Sequence, residues 1–251
     1  MNKPRHVSRR VLTTLGVLCL ASALRAEMPD DVKSAIQATS ATLKGAEKIE
    51  LTAKRTLSPA FAEASSQFPE ARITVTALRP SRFKASSSAG EGEARVFYFD
   101  GKNVTLFDSN SGLYAEAGLE GTIDDMIDAI EAKFGFSPPV VDLFYSQLGE
   151  AVLEGGDWNG EMLGKEGGTV HLKLSDEAVS WEAWIGEDDH LPKKLQIVFL
   201  DQEGKPSITV EDMKWNLAAE LSEDDFAFKA PDGATKAEMM TTEQIDSELK
   251  K

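Results

Sequence analysis

Arg95-Val96-Phe97-Tyr98-Phe99-Asp100-Gly101-Lys102-Asn103-Val104-Thr105-Leu106-Phe107 joins two runs of strand-forming residues through Asp-Gly. Asp and Gly tolerate the positive φ that a tight hairpin demands, and β-branched and aromatic residues suit a pleated surface. A two-residue loop at Asp100-Gly101 pairs Phe99 with Lys102, Phe97 with Val104 and Arg95 with Leu106. Val96, Tyr98, Asn103, Thr105 and Phe107 then share the opposite face. Both faces carry apolar side chains, so each needs a cover: helices on one, and a second layer or a cavity on the other.

Strand signals continue outward from this hairpin. Upstream, Ile49, Leu51, Ala53 and Arg55 alternate with Lys48, Glu50, Thr52 and Lys54, and Ile73–Leu78 and Phe83–Ser87 flank Arg79-Pro80-Ser81. Residues 59–69 read as a polar connection. Downstream, Asp108-Ser109-Asn110-Ser111-Gly112 reads as a hairpin turn. It lacks the oxygen ligand at position five and the glycine at position six that a calcium loop requires. Beyond Gly155-Gly156 strands cluster around 160–163, 170–174, 179–185, 194–200 and 208–217, with Gly- and Asp-rich turns between them. Leu195-Gln196-Ile197-Val198-Phe199-Leu200 is apolar on both faces and therefore belongs inside the sheet.

Helical spacing marks three segments. Val32, Ala35, Ile36, Thr39 and Leu43 follow Pro29-Asp30-Asp31 and stop at Gly45. Thr122 with Asp125 caps a second helix with the stripe Ile123, Met126, Ile127 and Ile130, ended by Gly135. A third is expected from Val140 to about Gly149, with Val140, Leu143, Phe144, Gln147 and Leu148 as its core stripe. The order predicts an α+β fold. No repeat or low-complexity linker interrupts it, so one domain is expected over residues 27–235, followed by a polar tail, 236–251, that frays.

Residues 1–26 read as a signal peptide. Lys3, Arg5, Arg9 and Arg10 precede the apolar run Val11–Leu24, and no acidic residue occurs before Glu27. At roughly 14 residues the run is too short for the ~20 that span a bilayer. Small residues allow cleavage after Ala23 or after Ala26, and general export is expected over the twin-arginine route, whose signature Ser8-Arg9-Arg10-Val11-Leu12 matches only in part. Removal of residues 1–26 takes away five of the 27 basic residues and none of the 42 acidic ones, moving the net charge from −15 to −20. It also removes Cys19, the only cysteine, and with it disulfide, thiolate and cysteine-zinc chemistry. An acidic protein without clustered Lys/Arg is not a nucleic-acid binder.

Motifs for catalysis are missing: the sequence has no nucleophile elbow, Walker A loop or dinucleotide glycine pattern. His171 sits in an alternating strand and His190 in an acidic turn, neither at ligand spacing, so no metal, cofactor or enzymatic activity is expected. The aromatic residues are more informative. Trp158, Trp181, Trp184 and Trp215, with Phe97, Phe99, Phe107 and Phe199, all fall in or beside expected strands. Trp181 and Trp184, three apart, point to opposite faces. Ordinary core filling and the lining of an apolar cavity both account for them.

Leu221-Ser222-Glu223-Asp224-Asp225-Phe226-Ala227-Phe228-Lys229-Ala230-Pro231-Asp232-Gly233 resembles the Asp-x-Phe-x-Phe-x-x-Pro-x-Gly ending of the periplasmic lipoprotein carrier (LolA/LolB-like) superfamily. Phe97-Tyr98-Phe99-Asp100-Gly101-Lys102 resembles that superfamily's Asp-Gly-Lys hairpin, and Leu191-Pro192-Lys193-Lys194 its Leu-Pro before a late strand. The resemblance covers residues 30–235 and is greatest to a branch of predicted periplasmic proteins. It implies a curved antiparallel open half-barrel with helices on its concave face, and a hydrophobic ligand between them: a lipid, acyl chain or lipidated peptide. Phe97, Phe99, Val104, Leu106, Trp181, Ile197, Phe199 and Trp215 are the candidate lining. A periplasmic monomer without a membrane span is expected. The alternative is an envelope interaction or sensor module of the same fold, marked by a filled core and a large exposed apolar patch.

Overall fold

The computed structural model describes residues 28–249 except 66, 91 and 157, so residues 1–26, expected to be a signal peptide, lie outside the described residues. Strand β1 (Lys48–Leu57) is the spine of a single sheet. Ile49, Leu51, Ala53, Arg55 and Leu57 are buried on one face, as the alternation predicts. β1 lies between β2 (Glu70–Leu78) and β11 (Ser207–Asn216). From β2 the sheet runs through β3 (Arg82–Gly90), β4 (Glu93–Phe99), β5 (Asn103–Asp108) and β6 (Leu113–Gly118) to β12 (Thr235–Ala237). From β11 it runs through β10 (Pro192–Phe199), β9 (Val179–Gly186) and β8 (Thr169–Ser175) to β7 (Asn159–Glu166). Every ladder is antiparallel except β12 on β6, and β7 and β12 remain as separate ends. The fold is the expected α+β open, curved sheet.

Helices close one face, hereafter concave. The main cluster packs Leu43 of α1 (Asp30–Lys44), Ile123, Met126 and Ile130 of α3 (Ile123–Phe134), and Val141, Leu143 and Phe144 onto β1–β5, β10 and β11. A second cluster joins Val32 and Ile36 of α1 to Leu172, Leu174 and Ile185 of β8 and β9, with Val152 and Leu153 of α4 (Leu148–Glu154) at its margin. Thr122 caps α3 as expected: its hydroxyl accepts from the Asp125 N–H at 3.2 Å, while the Asp125 carboxylate accepts from the Thr122 N–H at 2.8 Å.

Four local expectations are corrected. The central hairpin turns on Gly101-Lys102, one residue later than Asp100-Gly101, so Phe99 pairs with Val104, Phe97 with Leu106 and Arg95 with Asp108. Asp100 Oδ1 accepts from the N–H groups of Lys102 and Asn103 at 2.9 and 2.7 Å, which fixes this later turn, and Gly101 supplies its positive φ of 84°. The slip of two residues in register preserves which side chains share a face. Residues 59–69 are not wholly irregular: Ser58 caps a short helix, α2 (Pro59–Ala64), with proline at its first position. The helix expected from Val140 is broken into a 3-10 turn (Val141–Phe144) and α4. Asp124 Oδ1 accepts the Ser146 N–H at 2.9 Å and so holds the chain out of helix between them. The tail expected to be irregular beyond Ala234 contains β12 and α5 (Thr242–Leu249), whose first residue donates its hydroxyl to Lys133 O at 3.4 Å.

Over the central hairpin and its neighbours the outer face is covered by residues 222–228. Ser222 and Asp225 cap a 3-10 turn (Glu223–Phe226), which buries Phe226 completely. Phe228 lies 5.4 Å from the Tyr98 ring, 5.7 Å from Phe107 and 5.0 Å from Tyr114. The aromatic outer face of the central hairpin thus meets a strap of its own chain, and the described residues form one sheet.

Candidate functional site

All eight candidate lining residues share the concave face, and the register sorts them. Phe97, Phe99 and Val104 are buried in the main cluster, and Leu106 packs at its margin. Phe97 meets Phe83 and Phe136, each at 6.2 Å between centroids. Phe144 stands edge-on to Phe83 at 5.3 Å and lies 6.2 Å from Trp215, whose indole N–H donates to Pro192 O at 2.8 Å. Over β1–β5, therefore, the space between sheet and helices is filled by side chains.

The β9–β11 side differs. Ile197 pairs directly with Trp181 on one side and Ile208 on the other, and Ile208 pairs with Leu57. Trp181 touches the second cluster and Ile208 the main one, whereas Ile197 and Phe199 belong to neither. Trp181, Ile197, Phe199 and Ile208 are all half-buried. Phe61 of α2 meets Phe199 at 5.8 Å and ends the strip. The result is an apolar band across three strands at the seam between the two clusters.

One row along β1 from Leu57 lies Arg55, paired with Val210 of β11 and Ala71 of β2. It is 5% exposed. The spacing that places it on the apolar face is visible in the sequence, yet an arginine there was not among the candidates. Its Nη1 donates to Gln67 Oε1 and its Nη2 to Phe68 O at 2.8 Å, both neutral acceptors, while Nε is buried without a partner. Arg95, ion-paired with Asp108 at 3.0 Å, lies over the Phe68 ring at 5.2 Å. Burial first, and the like charge of Arg95 second, push the Arg55 guanidinium below its ordinary pKa. Arg79 also has two buried nitrogens without partners, but Asp124 offsets its charge.

The remaining candidate features carry structure. Trp181 and Trp184 face opposite ways, as expected: Trp184 stacks on His171 at 4.0 Å on the outer face, with Lys194 Nζ 4.7 Å from its ring. His171 Nε2 lies 3.0 Å from Glu182 Oε2, and His190 occupies a turn at φ 56°. A groove of about 820 Å³ has a mixed wall, in which charged Lys54, Glu70, Arg72 and Lys214 alternate with Ala53 and Ala71. Among the described residues no helix is long and apolar enough to cross a membrane, and no group of His, Cys, Asp or Glu could hold a metal ion.

In fold, the chain is similar to an uncharacterized conserved protein from Thermus thermophilus, at 13% identity and a TM-score of 0.47, covering 83% of this chain and 99% of that one. It is also similar to the lipoprotein LppX of Mycobacterium tuberculosis, at 15% identity and a TM-score of 0.43, covering 76% of this chain and 98% of the other. For MucB in the Pseudomonas aeruginosa MucA/MucB complex the values are 11% and 0.41, with 80% of this chain and 62% of that chain covered. No curated protein matches the sequence. Residues 33–240 match the family described as predicted periplasmic protein (DUF2092), so the chain belongs to that periplasmic family, as its hairpin and its ending imply.

Proposed function

We propose that this protein is a non-enzymatic periplasmic binding protein that holds a hydrophobic ligand, a lipid, acyl chain or lipidated peptide, against the concave strip of β9–β11. The observation that supports this is the in-register row Trp181–Ile197–Ile208, with Phe199 beside it, left half-buried between two filled clusters. A chain laid there releases water from both surfaces. Each sheltered methylene contributes about 0.8 kcal/mol. Twelve of them give about 10 kcal/mol, against an association cost of at least roughly 4 kcal/mol, so the dissociation constant is no tighter than the tens of micromolar.

The interaction-module alternative needs a broad exposed apolar patch. Among the described residues the exposed large apolar ones are Leu113, Leu163 and Ile245, on β6, β7 and α5, and they are scattered singly. That distribution favours ligand binding at the strip. The test is titration with a fluorescent long-chain fatty alcohol, following both probe emission and tryptophan quenching. Wild-type protein binds it, and Ile197→Asp and Phe199→Ser each weaken binding at least tenfold while retaining the native circular dichroism. Absence of binding by the folded wild-type protein overturns the proposal.

A further inference from the structure

We infer that the ligand held by the strip is an anionic amphiphile whose charged head is taken by Arg55. The inference rests on the binding reading above and specifies what kind of hydrophobic molecule the strip receives. A guanidinium carries a full charge and five N–H donors, and a buried one is ordinarily matched by a carboxylate. Among the described residues no carboxylate pairs with Arg55; an exposed glutamine and one backbone carbonyl stand in that place, and Nε is unpartnered. The charge is therefore built into the concave face with no counter-charge among the described residues.

Position links this charge to the strip. Arg55, Val210 and Leu195 form one row of the concave face, and Leu57, Ile208, Ile197 and Trp181 form the next. Rows of one face are two residues apart, or about 7 Å, the length of a few methylenes. The connection between β1 and β2 starts at this end of the strip, and its ends are tied to the sheet: Leu57 N donates to Pro69 O at 2.8 Å and Ser58 N to Ser207 O at 2.9 Å. It delivers Gln67 to the guanidinium and Phe61 to Phe199. The small neighbour of Arg55 on β2, Ala71, leaves room for Phe68 between Arg55 and Arg95. An oxyanion on an alkyl chain laid along Ile208 and Ile197 replaces the neutral Gln67 oxygen with a charge-assisted bidentate acceptor, the partner that a guanidinium fork suits best. Carboxylate and phosphate heads share this chemistry.

The test compares matched twelve-carbon probes by calorimetry on the mature protein: dodecanoate, dodecyl phosphate and the uncharged dodecanol, with acetate and inorganic phosphate as headgroups alone. Wild-type protein binds at least one anionic probe at least tenfold more tightly than dodecanol, and the free headgroups at least a hundredfold more weakly. Arg55→Gln reduces the anionic probe to the level of dodecanol. Gln67→Glu supplies an internal carboxylate to the guanidinium; it abolishes the anion preference and raises the melting temperature. Equal binding of acid and alcohol by the wild type overturns the headgroup inference while the strip reading stands. Failure of every alkyl probe overturns the strip reading, and tight binding of acetate or phosphate alone shows an anion site unrelated to an amphiphile and overturns the inference.

Discussion

Replacement of Phe144 by alanine separates the filled part of the concave face from the open part. Phe144 is fully buried at the end of the 3-10 turn, edge-on to Phe83 at 5.3 Å and 6.2 Å from Trp215. The ring cannot be replaced by water, and its neighbours sit on strands that cannot collapse inward, so the full cavity cost applies. Phe→Ala at such a site costs about 3–5 kcal/mol. For a domain of this size that corresponds to a fall of roughly 6–20 °C in melting temperature. Phe199, half-buried and meeting Phe61 at 5.8 Å, loses only part of its transfer energy on truncation. Its cost is about 1–2 kcal/mol, or a few degrees. Thermal melts followed by circular dichroism, with chemical denaturation for free energies, measure both. The expected result is a Phe144→Ala variant that is much less stable but folded, and a Phe199→Ala variant close to wild type in stability and impaired in ligand binding. Equal losses for the two, or a loss below about 1.5 kcal/mol for Phe144→Ala, would refute the division into packed core and open strip.

Other perturbations test separate parts of the fold. Thr39 is buried on α1 with no hydrogen-bond partner for its hydroxyl. Thr39→Val is expected to stabilise the protein by about 1 kcal/mol in urea titrations, because the unsatisfied polar group is removed at nearly constant shape. Phe228→Ala is expected to cost about 2 kcal/mol and to change the near-ultraviolet tyrosine signal, since the ring covers Tyr98, Phe107 and Tyr114. An unchanged tyrosine signal would show that the C-terminal strap does not cover the outer face. Burial works against ionisation of Asp108, but the Arg95 side chain and the Ser111 and Asn110 N–H groups outweigh it and hold the carboxyl below its ordinary range. The resulting stability is fully present above an unfolded value of about 3.9 and is lost as the pH falls through the lower folded value. Asp108→Asn therefore costs up to about 1 kcal/mol at pH 7; that difference shrinks below pH ~4, and a constant difference across pH contradicts the ion-pair account.

The faces of the sheet were legible in the sequence because side-chain alternation survives errors in register. Phe97, Phe99, Val104 and Leu106 were placed together by a turn centred one residue too early, and they remain together in the actual ladder. What the sequence hid depends on distant partners. Nothing near Ser146 shows that its N–H belongs to Asp124, 22 residues earlier, and so the break before α4 was invisible. The α2 helix was legible in Ser58-Pro59, a cap followed by a proline suited to a first turn, but its six residues give too little periodicity to stand out. The strip itself could not be separated from the core: Ile197 and Phe199 follow the same pattern as Phe97 and Phe99, and only the positions of the helices leave the former pair outside both clusters. Arg55 was the reverse case, an evident anomaly in an apolar alternation whose meaning required the absence of a carboxylate across the fold.

Native mass spectrometry of the mature protein isolated from the periplasm, followed by solvent extraction of whatever it carries, tests the binding role most directly. The account predicts a reproducible adduct of lipid mass that is extracted as an anionic amphiphile, and that is lost from the Ile197→Asp variant. A clean apo mass for the wild-type protein, together with no uptake of alkyl probes in solution, would contradict it.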